Sequence, residues 1–303
     1  MILTHQRLPA SQGVDYQHIV FPREAPRRRR AHLLFDGSRV DAARQPTLSQ
    51  PEFDFCERLF SLAGLALSNY RHAMVRRRLP ACLRALRSKS LDEACIRLES
   101  RPELATVAIN RLLVGVTGFF RDEAVFARLE HLLPTLARST RPLSVWSAGC
   151  SDGAELYSLA MLLAEHKLLA GSYLLGADCR PAAIAAARAG QYDLASIEAV
   201  RPDRRTRFFN ISSGQATITA ELRAAARWRV SSFVKYFEPG EWDIISLRNT
   251  AIYLRPEVVR GLWQRIEAGL RPNGLLVVGK AERPLGATRL HQVGPCIYQR
   301  ARR

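Results

Sequence analysis

The sequence predicts an α/β chain in two parts: a small all-helical N-terminal domain, then a doubly wound sheet that ends in an antiparallel hairpin. Three observations predict it. Between positions 47 and 113 apolar residues recur at helical spacing. From about 143 the pattern changes to short apolar runs alternating with helical stretches. Near the C-terminus two strand-like segments flank Gly294-Pro295, a turn signal.

Residues 1–46 carry Arg27-Arg28-Arg29-Arg30, several prolines and no sustained period, so a basic, disordered tail is expected there. Next, Phe53, Cys56, Leu59 and Phe60 share one helix face, and Gly64 should end that helix. A second helix is expected from a cap signal at Ser68 onward. It would turn Met74, Val75, Leu79 and Leu83 inward and Arg71, Arg78, Arg84 and Arg87 outward, with a break point at Pro80. Ser90 and Glu93 have capping-box spacing, and Pro102 opens a last helix running to about Leu113.

In the second part, runs 143–147, 173–177, 243–247 and 275–279 read as buried parallel strands. Helical stretches 155–169, 181–189 and 256–270 lie between or after them, and 289–293 with 296–299 form the hairpin. Ligands of such sheets sit beyond the carboxyl ends of the strands.

Composition narrows the class. The chain has 303 residues, 47% hydrophobic and 24% charged, enough for a core without a disulfide or metal staple. No apolar run reaches membrane-spanning length, so no membrane insertion is expected, and the first residues lack a signal-peptide pattern. The six cysteines show no metal-like spacing, which suits free thiols in a reducing cytoplasm, and no metal is expected. Lys and Arg outnumber Asp and Glu by 45 to 28, a net charge of +17 that attracts acidic partners.

The first crossover reads Val145-Trp146-Ser147-Ala148-Gly149-Cys150-Ser151-Asp152-Gly153-Ala154-Glu155. Its glycines permit close approach of a ligand, yet the spacing is neither G-x-G-x-x-G nor a phosphate loop. Glu155 is either an acceptor for a ligand ammonium or a first-turn carboxylate on the helix dipole. Asp178, ending the second strand, is either an acceptor for both ribose hydroxyls or a helix-entry residue. Together they fit a nucleoside with an amino group and no phosphate, as S-adenosylmethionine is. At the junction of the two parts, Arg121 offers a fork for a carboxylate, while Phe119-Phe120 reads as packing. Arg248, Asn249 and Tyr253 follow an apolar strand, where polar residues are hard to explain as core.

These segments, in this order, resemble the CheR family of chemotaxis-receptor methyltransferases along residues 47–303. The series is Thr117-x-Phe119-Phe120-Arg121, Gly153-x-Glu155-x-Tyr157-Ser158, Asp178, Ala187-Arg188-Ala189-Gly190-Gln191-Tyr192, Arg248-Asn249-x-x-Ile252-Tyr253, Leu270-Arg271-Pro272-Asn273-Gly274-Leu275 and Gly279-x-x-Glu282. The resemblance implies a helical domain at 47–113 and a class I SAM-methyltransferase-like domain at 114–303. It implies transfer of a methyl group from S-adenosyl-L-methionine to glutamate side chains on receptor helices, leaving S-adenosyl-L-homocysteine. It also implies Thr117, Arg121, Glu155, Asp178, Arg248 and Asn249 around the cofactor, with Arg121 and Tyr253 nearest the reacting centre. The expected partner is the acidic methylation helix of a methyl-accepting receptor, with the enzyme a cytoplasmic monomer and the stretch 208–226 standing where relatives carry a receptor-docking flap.

The chain departs from the family pattern at three places. Gly115 stands where Asn is usual, Ala154 and Leu156 where Glu and Pro are, and Val234-Lys235 where Asn-Leu is. A SAM-binding paralogue acting as a sensor or docking module is therefore the alternative. Nucleic acid as a specific partner ranks last, because Arg248-Asn249-Thr250-Ala251 replaces the D/N-P-P-Y/F loop of base methyltransferases. A carboxylate of pKa about 4.3 is already ionised at neutral pH and needs no general base to be methylated. The chemistry asks for alignment in a dry cleft, so no catalytic His or Cys pair is expected.

Overall fold

The computed structural model describes residues 48–113, 115, 117–136 and 141–302; the expected tail at 1–46 lies outside them. The first helix, α1 (Gln50–Leu62), is closed at its start by Ser49 and Glu52, whose side chain accepts the Ser49 N–H at 2.8 Å. It buries Phe55, Cys56, Leu59 and Phe60 and ends before Gly64, whose φ of +70° a side chain would resist. Each fully buried Leu or Phe here contributes roughly 1.5–3 kcal/mol of transfer free energy.

The second helix, α2 (His72–Ala85), starts later than the Ser68 signal predicts. Residues 67–69 form a 3-10 turn, and the chain then leaves helical geometry to pair with a distant segment. Arg71 N–H donates to the Tyr253 carbonyl at 3.0 Å, Arg255 N–H to Asn69 at 3.0 Å, and Tyr70 bridges Leu254 in antiparallel fashion. Tertiary pairing thus overrides the local cap. Pro80 sits inside α2 without ending it. Met74, Val75 and Leu79 are buried and Leu83 is half-buried, as the periodicity predicts.

Helix α3 (Leu91–Ser100) carries half of the expected capping box: Ser90 Oγ accepts the Glu93 N–H at 3.2 Å, but Glu93 reaches back to the Lys89 N–H instead. Helix α4 (Leu104–Leu112) follows Pro102, and α5 (Glu123–Leu136) leads into the sheet. The remaining elements are β1 (Ser144–Ala148), α6 (Ala154–Glu165), β2 (Tyr173–Asp178), α7 (Pro181–Ala189), β3 (Gln191–Asp193), α8 (Pro202–Phe208), β4 (Phe209–Ser212), β5 (Gln215–Ile218), α9 (Ala220–Ala225), β6 (Ala226–Val230), β7 (Trp242–Leu247), α10 (Pro256–Gly269), β8 (Leu270–Val278), β9 (Leu290–Gly294) and β10 (Ile297–Arg300).

The large sheet runs β6-β2-β1-β7-β8-β10-β9. Its first five strands are parallel, and β10 and β9 form the antiparallel hairpin on one edge. The four predicted parallel strands are present, and β6 adds a fifth at the opposite edge. Successive residues of each strand face opposite cores. Val145, Leu174, Ile244 and Leu275 pack against α5 and α6, whereas Trp146, Leu175, Ile245 and Leu276 pack on the side of α10. The second core is continuous with the interior of α1–α4, so the helical domain is welded onto one face of the sheet. The stretch 208–226 forms β4, β5 and α9, and a separate three-stranded sheet has the order β3-β5-β4. Among the described residues no helix is long and apolar enough to cross a membrane.

Candidate functional site

A cleft opens beyond the carboxyl ends of β1, β2 and β7, where a parallel sheet offers its ligand site. Gly149, Asp178, Asn249 and Tyr253 come from those strand ends, and Tyr70, Phe233 and Leu254 add apolar wall. Gly149 has φ +77°, and a Cβ there would stand 2.9 Å from Thr250 Oγ1. Only glycine lets the turns after β1 and β7 meet so closely.

The turn after β7 is held by one carboxylate. Glu282, 3% exposed, accepts backbone N–H groups from Thr250 (2.9 Å) and Ala251 (2.7 Å) on Oε1, and from Asn249 (2.8 Å) and Gly279 (2.7 Å) on Oε2. Asn249 takes φ +56°, a left-handed conformation that asparagine tolerates better than most residues. Glu282 thereby fixes the strained turn that carries Asn249 and Tyr253.

Arg248 points away from the cleft lining. Its Nη1 meets Glu155 at 3.3 Å, and its Nη2 donates to Asp122 at 2.7 Å and to the Arg121 carbonyl at 2.8 Å. Glu155 also accepts from Ser147 Oγ at 2.8 Å, and Lys280 reaches Asp122 at 2.6 Å. The Lys280 hydrogen bond, opposed by burial and aided by Arg248, holds the Asp122 carboxyl below its usual range. This network, buried at Arg248 and Glu155 and open to solvent at Lys280, ties the junction segment to the sheet. Ser158 adds a second tie, accepting the Phe120 N–H at 3.0 Å, while Phe119 packs edge-on to Tyr192.

Of the residues singled out in the sequence, the structure therefore brings Asp178, Asn249 and Tyr253 to the cleft wall. Glu155 and Arg248 are paired beside it; Thr117 is half-buried and Arg121 exposed on the junction segment. Asp178 is buried, with Ser151 and Arg180 on its oxygens. Sequence reasoning missed Tyr70, Phe233 and Arg180 in the lining and gave Glu282 no role. The Gly279-x-x-Glu282 motif was a signal for the last, and Arg180, two residues after Asp178, needed only its direction. Cys179 also lines the cleft, but burial pushes its thiol up to about 12, which keeps it protonated and unreactive at neutral pH.

Residues 54–113 match the family profile described as "CheR methyltransferase, all-alpha domain", and residues 115–296 match "CheR methyltransferase, SAM binding domain". The chain belongs to the CheR methyltransferase family.

Among its relatives, "Chemotaxis protein methyltransferase 2" of Pseudomonas aeruginosa is 32% identical over 257 residues, 81% of this chain and 91% of that protein. "Chemotaxis protein methyltransferase 1" of Vibrio cholerae is 30% identical over 262 residues, 82% and 95% of the two chains. A solved structure of the glycopeptide N-methyltransferase MtfA complexed with S-adenosyl-L-methionine aligns with 55% of this chain and 57% of its own, at 12% identity and a TM-score of 0.33. The resemblance read from the motifs is thus a membership. The all-α domain followed by a class I methyltransferase-like sheet is the CheR architecture, and the sheet domain is its SAM-binding part. The cleft suits such a ligand: apolar Phe233, Leu254 and Tyr70 offer a surface for a flat base, with the polar Asp178 and Asn249 on the same wall.

Proposed function

We propose that this CheR protein is a protein-glutamate O-methyltransferase acting on a chemotaxis-type receptor. The observation that carries the reading is the cleft at the strand ends, whose rim bears Asn249 and Tyr253 on a turn clamped by Glu282, in a chain matching both CheR profiles. The names of the P. aeruginosa and V. cholerae relatives support the chemotactic setting. S-adenosylmethionine would supply an electrophilic methyl group and leave as S-adenosylhomocysteine. Asp178 would take the ribose, Asn249 and the cleft's apolar wall the remainder, with Thr117, Glu155 and Arg248 shaping the site from beside it.

A glutamate side chain is anionic at neutral pH, so the protein's work is to bring it in and align it. Arg121, exposed on the junction segment, would steer that carboxylate, and Tyr253 would border the reacting centre. The partner is then an acidic receptor helix, met by a cytoplasmic monomer. The test is incubation with labelled S-adenosylmethionine and receptor-containing membranes. Base-labile label in a receptor band is the expected result, and Arg121→Ala should lower it about tenfold or more with unchanged circular dichroism. Label that resists base, or an Arg121→Ala protein of wild-type rate, would overturn the reading or that role respectively. Cofactor binding without transfer to any receptor would favour the sensor module instead.

A further inference from the structure

Asp178 has two oxygens and, as a carboxylate, about four acceptor positions. All four are taken from within the protein. Oδ1 accepts the Arg180 N–H at 3.0 Å and Arg180 Nε at 2.9 Å; Oδ2 accepts the Ser151 N–H at 3.0 Å and Arg180 Nη2 at 3.1 Å. Three of the four bonds come from Arg180, itself only 9% exposed. Burial draws its guanidinium down while the Asp178 carboxylate more than offsets this, so Arg180 stays cationic. A ribose approaching Asp178 therefore finds no open acceptor.

Arg180 can lie there because of a second residue. Its Nη2 also donates to Ser151 Oγ at 3.1 Å, and Ser151 Oγ donates to the Gly115 carbonyl at 3.1 Å. A Cβ at position 115 would stand 2.5 Å from Arg180 Nη2 and 2.9 Å from Ser151 Oγ, so any side chain there would push the guanidinium aside. The missing side chain and the folded-back arginine fill the same space, and Gly115, Asp178 and Arg180 all line the cleft.

We propose that Arg180 is an affinity-setting residue that occupies the ribose subsite, so that an adenosyl ligand binds only as the guanidinium turns off Asp178 toward the open mouth of the cleft. The inference rests on the reading of Asp178 as the ribose acceptor. A bidentate guanidinium–carboxylate pair in a sheltered site is strong, and the ligand's hydroxyls must compete with it. Affinity is then lower than the carboxylate alone would give, and Gly115 is the residue that permits it.

Titration calorimetry with S-adenosylhomocysteine tests this, with thermal unfolding as the check on the fold. Arg180→Ala should tighten binding roughly tenfold, since the competing charge-assisted bonds are gone. Gly115→Ala, which keeps the arginine but crowds it off Asp178, should tighten binding in the same direction. A merely structural arginine would weaken binding on removal, so the sign of the change separates the two roles. Unchanged or weaker binding in a folded Arg180→Ala protein overturns the proposal. If Arg180→Ala fails to fold, Gly115→Ala decides alone: tighter binding supports the proposal, equal or weaker binding overturns it. Asp178→Asn placed on whichever folded variant is in hand reports on the underlying reading. Lost affinity there upholds Asp178 as the ribose acceptor even where Arg180 proves indifferent, and unchanged affinity removes Asp178, and the proposal with it.

Discussion

Replacing Glu282 by Gln is the sharpest perturbation the site offers. The carboxylate accepts four backbone N–H groups, two on each oxygen. An amide of the same shape keeps one oxygen and presents an NH2 to the other pair, so two bonds are lost and donor meets donor. At roughly 1.5–3 kcal/mol for a hydrogen bond to a charged group, the loss is about 3–6 kcal/mol before the turn relaxes. Native proteins are stable by only about 5–15 kcal/mol, so the change is large. With about 2–4 °C of Tm per kcal/mol in larger domains, scanning calorimetry should show a fall of roughly 6–24 °C. Because either pair that could be freed, Thr250 with Ala251 or Asn249 with Gly279, includes N–H groups of the turn, S-adenosylhomocysteine affinity should fall at temperatures where the variant is still folded. Arg283→Ala, one residue away and bonded to the carbonyls of Lys280 and Glu282, is the control and should barely shift either readout. A Glu282→Gln protein melting within about 1 °C of wild type would refute the claim that this carboxylate holds the turn.

Two further outcomes follow from charge. Asp122 is held below its usual pKa of 3.8 by Lys280 and Arg248, so its contribution is complete above that value and is lost as pH falls through the lowered one. Asp122→Asn should therefore cost about 1–2 kcal/mol at pH 7, with a Tm gap to wild type that is constant from about pH 5 to 8 and closes below pH 4; a gap that widens in acid would reverse the assignment. On α2, Arg77 and Arg84 are exposed and Arg78 half-buried, and changing all three to Ala should raise the apparent receptor requirement several-fold at low salt, with cofactor affinity unchanged. That difference should fade as the screening length shrinks to roughly 8 Å, and normal receptor methylation by the triple variant at low salt would place docking elsewhere.

What was legible in the sequence was whatever local periodicity decides. The strands around Trp146, Leu175, Ile245 and Leu276 announced themselves as apolar runs because both of their faces are buried. The edge strand β6 did not: its exposed Arg227 and Arg229 alternate with Ala226 and Trp228, which pack inward, Trp228 over Gly176 of β2. Strands β3, β4 and β5 are three or four residues long, too short to carry a period. The start of α2 was misplaced because the competing partner, Leu254, lies far along the chain. In the site the same division holds. Asp178 and Asn249 could be found from their place after apolar strands. The engagement of Glu155 by Arg248 joins residues 93 apart, and no local pattern encodes it.

That distant pairing also explains why the helical domain bears on the cleft at all. The turn from Asn249 to Leu254 is gripped on one side by Glu282 through its N–H groups. On the other side the carbonyls of Tyr253 and Leu254 accept from Arg71, by its N–H at 3.0 Å and its Nε at 2.9 Å, and Asn69 accepts the Arg255 N–H. Backbone groups left without these partners would be expensive in a sheltered place. Tyr70, between the two gripping residues, is buried and faces the cleft, and burial pushes its phenol well above the usual range, so it stays a neutral wall. The helical domain therefore supplies part of the cleft wall and part of the support for the turn that carries Tyr253. A sheet domain alone would keep Asp178 and Asn249 at its strand ends but would lack that wall and that support.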